Sequence, residues 1–138
     1  MIKTEGVLHF TIPIKDLDRS EQFYTEILGL EKIRRNNHMV FLRAGGKDYL
    51  VLTLSEKPVD PNFANKHDIH HAFRVSGPEY DRAKRFLAAK GIEIFKEEDR
   101  RSGTFHGRSA YFHDPDRNVI EIMDLQKPPV AEKDDPAR

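Results

Sequence analysis

The feature that most constrains this chain is an internal repeat. VLHFTIPI reads as a strand, LDRSEQFYTEILGL as a helix closing near Gly29, and EKIRR, HMVFLRA and DYLVLTL as three short strands broken by NN and GG. The same order recurs in IHHAFRV, PEYDRAKRFLAAKG, IEIFKEE, SAYFHD and NVIEIMD. The step from the strand histidine to the glycine stop is 20 residues from His9 to Gly29 and 21 from His70 to Gly91. Phe23, Ile27 and Leu30 form one helical stripe, and Tyr80, Ala83, Phe86 and Leu87 the other. The expected organisation is a first βαβββ module over 1–57, a linker over 58–68 with two prolines, a second module over 69–125, and a charged, proline-containing tail over 126–138.

Composition narrows the function classes. At 138 residues and 38% hydrophobic, the chain has the size of one soluble globular domain with a modest core. Lys plus Arg equals Asp plus Glu at 23 each, with no basic block, so a nucleic-acid partner is not expected. The absence of cysteine excludes disulfides and thiolate zinc sites and fits a reducing compartment. No apolar run approaches a membrane span and no signal peptide is read at Met1–Val7, so a cytoplasmic protein handling small molecules is expected.

Strand alternation selects the candidate site. Phe10, Ile12 and Ile14 are the apolar set of the first strand, leaving His9, Thr11 and Pro13 opposite. In the second module Phe73 and Val75 are joined by His71, leaving His70, Ala72 and Arg74. In the last strand Ile120 and Ile122 leave Val119, Glu121 and Met123. Three strand faces thus offer His9, His70 and Glu121, the ligand set of a facial metal site with coordination positions left for substrate. Val51 stands where Glu121 would repeat, so the count is three protein ligands. Taken singly, each strand histidine is an ordinary structural residue; the set carries the reading. Ser109 and Tyr111 share the inward parity, Tyr111 as an acid or a packed aromatic and Ser109 as a substrate contact. Thr11 is a candidate substrate hydrogen-bonding residue. Arg43, Arg101 and Arg108 could meet an anion, and DPD at 114–116 reads as a turn.

Through LHFTIPIKDLDRSEQFYTEILGL, IHHAFRV and above all GRSAYFHDPDRNVIEI, the chain resembles the vicinal oxygen chelate superfamily over nearly all of residues 5–125. That superfamily includes glyoxalase I, bleomycin resistance proteins, fosfomycin resistance enzymes and extradiol dioxygenases. The resemblance implies an α+β fold: two tandem strand-helix-three-strand modules forming a curved, cup-shaped mixed sheet, helices on the outer face. It implies a divalent metal, Fe(II) or Mn(II) before Zn(II) or Ni(II), held by His9, His70 and Glu121. It also implies a homodimer, in some relatives with modules exchanged between chains.

The resemblance orders the reaction classes as extradiol-type oxygen chemistry first, with Tyr111 and His106 in HGRSAYFHDP, and fosfomycin-type epoxide opening second, through GRSAYF and Thr11. A non-catalytic drug-binding cup is the third. Val51, where glyoxalase I has a glutamate, counts against a lactoylglutathione lyase. An asymmetry between adjacent histidines follows: His70→Ala should abolish divalent-metal binding, and His71→Ala should chiefly lower the unfolding midpoint. Metal analysis and thermal unfolding of the two variants check it; a reversed pattern would invert the strand register.

Overall fold

The computed structural model describes residues 1–63 and 67–127. The expected tail lies almost entirely outside the described residues, as do the last positions of the linker before His67. Among the described residues, eight strands and two helices follow the order β1 (His9–Ile14), α1 (Leu17–Gln22, continued by a π-helical turn, Phe23–Ile27), β2 (Glu31–Arg35), β3 (Met39–Ala44), β4 (Asp48–Leu54), β5 (His70–Val75), α2 (Gly77–Ala89), β6 (Lys96–Arg100), β7 (His106–His113) and β8 (Val119–Lys127). They make two four-stranded mixed sheets, ordered β1-β4-β3-β2 and β5-β8-β7-β6. This is an α+β fold of two βαβββ modules. No helix among the described residues is long and apolar enough to cross a membrane.

The chain divides into two compact units: Met1–Lys66 with Asp114–Asn118, and His67–His113 with Val119–Arg138. In the first, Asp16 caps α1 by accepting from the Arg19 amide at 2.9 Å. The widened π-helical turn carries Phe23 and Tyr24, neighbours in sequence and both buried, as are Ile12, Ile14, Leu42 and Leu52 of the same unit. Phe10 departs from the expected core set. It is 56% exposed, at the end of β1 that continues the exposed segment of Val7 and Leu8.

The DPD segment is more than a surface turn. Asp114, Asp116 and Asn118 are buried within the first unit, where Tyr24 donates its hydroxyl to Asp114 Oδ2 at 2.8 Å. Asn118 Nδ2 donates to the Pro13 carbonyl at 2.9 Å and to Asp114 Oδ2 at 2.8 Å. Asp116 accepts from Arg19 at 2.7 Å and from the Lys15 amide at 3.1 Å. Burial pushes the Asp114 carboxyl above its ordinary range, against the donors that favour its charge. Buried polar groups on this scale persist only because each finds partners.

In the second unit Ser76 caps α2 by accepting from the Glu79 amide, and Tyr80 and Leu87 are its buried residues. The helix ends in a Schellman motif: Gly91, at φ 71°, donates to Ala88 and Ile92 donates to Leu87. That cap uses Ile92, so β6 begins at Lys96 rather than at the expected Ile92 and pairs Lys96 with Tyr111. Val119 to Met123 are buried along β8, on both faces of the strand.

Asn118→Ala should lower the folding free energy by about 1–3 kcal/mol, because it takes the side-chain donor from the Pro13 carbonyl and leaves Asp114 Oδ2 with Tyr24 alone in a buried place. Arg117, in the same turn at φ 66°, should tolerate glycine with neutral or slightly higher stability. Urea unfolding midpoints of the two variants measure the contrast.

Candidate metal centre

In each module the first strand runs parallel to the last. On β5 and β8 the pairs are His70 with Val119 and Ala72 with Glu121, and on β1 and β4 they are His9 with Tyr49 and Thr11 with Val51. Paired residues share a sheet face, so His70 and Glu121 stand on one face of the second unit. Tyr111, opposite Glu121, and Ser109, opposite Met123, join them from β7. Alternation therefore selected residues that the register brings to one face.

Glu121 is 5% exposed, and its two oxygens have separate partners. Ser109 Oγ donates to Oε1 at 2.6 Å, and His70 Nε2 lies 3.1 Å from Oε2. His70 Nδ1 sits 2.8 Å from the carbonyl oxygen of His67, which can only accept, so Nδ1 carries the ring proton. A neutral ring then turns the Nε2 lone pair toward a carboxylate oxygen. Two electron-rich atoms at that distance need a shared proton or a cation between them. A carbonyl fixing the remote ring nitrogen is also the usual way a ligating histidine is oriented. The donors fit a divalent metal. Among the described residues no three His, Asp or Glu side chains gather as a complete ligand set; His9 stands in the first unit.

Tyr111 is 1% exposed, its ring edge-on to those of His67 and His70 at 5.6 and 5.5 Å. Burial first, then the charges of Glu121 and Glu98, pushes its phenol up to about 12. Lys96 Nζ lies over the ring at 5.4 Å, is 2.8 Å from His67 Nε2, to which it can only donate, and ion-pairs with Glu98 at 2.7 Å. His71 is half-buried on the other face, its imidazole held below the ordinary range by burial and by His70.

His9 and Thr11 line a cavity of about 780 Å³ in the first unit, with Met39, Phe41 and Tyr49. Arg43 shares that sheet face, but both its Nε and Nη2 donate to Glu31. Arg101 pairs with Asp99, and Arg108 with Asp81 and Asp124. His106 opens β7 opposite Lys127, at the strand end away from Tyr111. Sequence reasoning missed His67 and Lys96. His67 falls in the linker, where periodicity says nothing, and Lys96 reads as one more charge of KEED.

Residues 6–122 match the family model of the Glyoxalase/Bleomycin resistance protein/Dioxygenase superfamily. The fosfomycin resistance protein FosX of Listeria monocytogenes is 30% identical over 118 residues, which are 85% of this chain and 87% of that protein. The manganese-dependent 2,3-dihydroxybiphenyl 1,2-dioxygenase of Geobacillus genomosp. 3 is 32% identical over 90% of this chain but only 38% of its own length. Among solved structures, Listeria monocytogenes FosX complexed with Mn(II) and 1S,2S-dihydroxypropylphosphonic acid has a TM-score of 0.73 at 25% identity, covering 90% of this chain and 93% of that one. With the repeat, the sheet order and these matches together, the chain belongs to the Glyoxalase/Bleomycin resistance protein/Dioxygenase superfamily, as an enzyme of it.

Proposed function

We propose that this protein is a divalent-metal enzyme that opens an epoxide by adding water, in the manner of the hydrolysing fosfomycin resistance enzymes. This reverses the order the sequence suggested, in which extradiol chemistry led. The reading is carried by the buried Glu121 carboxylate, held by Ser109 and facing His70 Nε2 at 3.1 Å. The reaction class is supported by the fosfomycin resistance relatives, which span most of this chain and most of their own length. The dioxygenase relative matches over a smaller part of its length, which leaves extradiol chemistry as the second reading.

His9, His70 and Glu121 are the proposed ligands, with Mn(II) favoured. The metal, when bound, supplies Lewis acidity toward the substrate oxygens. The remaining work belongs to the chain. Ser109 spends its hydroxyl on Glu121 and acts by orienting the carboxylate rather than by meeting substrate. Tyr111 keeps its proton through the neutral range and can donate a hydrogen bond to the epoxide oxygen as the ring C–O bond breaks. Water adds to the ring carbon, the oxygen takes up a proton, and a vicinal diol results. Thr11 offers the substrate a further hydrogen bond, while Lys96, over the Tyr111 ring, is held by Glu98 and His67. The proposed enzyme works as a homodimer in the cytoplasm.

Phosphorus NMR of Mn(II)-loaded protein with fosfomycin should show conversion to the dihydroxypropylphosphonate. Glu121→Gln should remove conversion, and Tyr111→Phe should lower kcat by about 10- to 100-fold with little change in KM. In metal-free protein, burial and the charges of Glu121 and Glu98 should keep the Tyr111 phenol protonated well above neutral pH, which tyrosinate absorbance checks. Oxygen uptake with a catechol panel and no fosfomycin consumption would restore the dioxygenase reading.

A further inference from the structure

We propose that the first unit carries a selectivity pocket for the part of the substrate remote from the reacting oxygens: an apolar body ending in an anionic group that Arg34 receives. The inference rests on the epoxide-opening reading only for which end of the molecule reacts.

Three observations carry it. The first is a β-bulge. Glu31 pairs with Arg43 and Arg34 with Phe41, with the register shifting between Lys32 and Arg34. In a regular strand, residues 31 and 34 would face opposite sides. The extra residue, Ile33, turns Arg34 onto the face that Phe41 shares with Val51 and Thr11. The bulge thus puts both Ile33 and Arg34 on the wall of the cavity whose opposite side is His9.

The second is the cavity's size and lining. Its volume of about 780 Å³ lies within the roughly 300–1,000 Å³ of sites that take drug-sized ligands, far more than a three-carbon phosphonate fills. Leu8, Ile33, Met39, Phe41, Tyr49 and Val51 give it a mainly apolar wall.

The third is charge. No carboxylate is among the lining residues, and Arg34 makes no ion pair among the described residues. Its neighbour Arg35 faces the other way and is paired with both Asp18 and Glu21. Of the two adjacent guanidinium groups, one is committed to the fold and the other stands over an apolar cavity. A guanidinium there recognises a carboxylate, phosphate or phosphonate. The substrate class is therefore an amphiphilic anion, with its vicinal oxygens toward His9 and its charge toward Arg34.

Calorimetric titration of the full chain in EDTA tests this without metal or turnover. The probes are 4-phenylbutyrate, its uncharged amide, and acetate. 4-Phenylbutyrate should bind about tenfold or more tighter than either of the others, and Arg34→Gln should remove its advantage over the amide. Arg35→Gln should leave that advantage in place. Equal binding of acid and amide, no binding of 4-phenylbutyrate, or the same loss in Arg35→Gln would overturn the pocket. Fosfomycin turnover without 4-phenylbutyrate binding would sink this inference and keep the reaction; binding without turnover would do the reverse.

Discussion

The parallel pairing of the first strand of each module with its last strand is the constraint on which the rest depends. In both sheets the histidine stands two residues before the partner of the position that is Glu121 in one module and Val51 in the other. A one-residue slip of β5 against β8 would move the whole His70 set to the helix side. Because the parallel register is the same twice, equivalent positions on β1–β4 and β5–β8 differ by side chain. The second face collects Glu121, Tyr111, Ser109 and Lys96, and the first collects Val51, Phe41, Met39 and Tyr49. One module is built to hold charge and the other to hold apolar matter.

Holding charge is the costly half. A carboxylate removed from water loses several kcal/mol of solvation unless donors replace the water. Glu121 lies on a strand buried on both faces, so what replaces its water must come from the adjacent strands: Ser109 of β7 donates to Oε1, and a proton or cation shared with His70 of β5 meets Oε2. Tyr111 feels the same surroundings with the opposite result: the environment that keeps Glu121 dry holds the phenol protonated. Burial first, and the neighbouring anion second, explain why the hydroxyl is a donor and not a base.

Much of this could be read from the sequence because it follows from periodicity. The two modules, the helix stops at Gly29 and Gly91, and the inward parity of His9, His70, Glu121 and Tyr111 need only a period of 2, a period of 3.6 and the recognition that the pattern occurs twice. What could not be read breaks the period or depends on long-range docking. The bulge at Ile33 inverts parity, so strict alternation along β2 gives the wrong face for Arg34. The Schellman cap delays β6 past the apolar run IEIF. The DPD segment looks like any turn until Tyr24, ninety residues away, donates to it.

The difference between reading a ligand set and reading a reaction has the same origin. Two histidines and a carboxylate suit oxygen activation and epoxide opening equally, because both need a cation with open positions and neither is distinguished by its ligands. Discrimination must come from the surroundings, and these are mostly side chains placed by non-periodic features: Lys96 by a helix cap, His67 by a linker, Arg34 by a bulge. Lys96, over the Tyr111 ring, is ion-paired with Glu98, so its charge is balanced on the second face. Arg34, over the apolar wall of the first face, makes no ion pair among the described residues. In the proposed reading the preference for an anionic substrate therefore rests on Arg34 and not on the ligand triad, which serves either reaction.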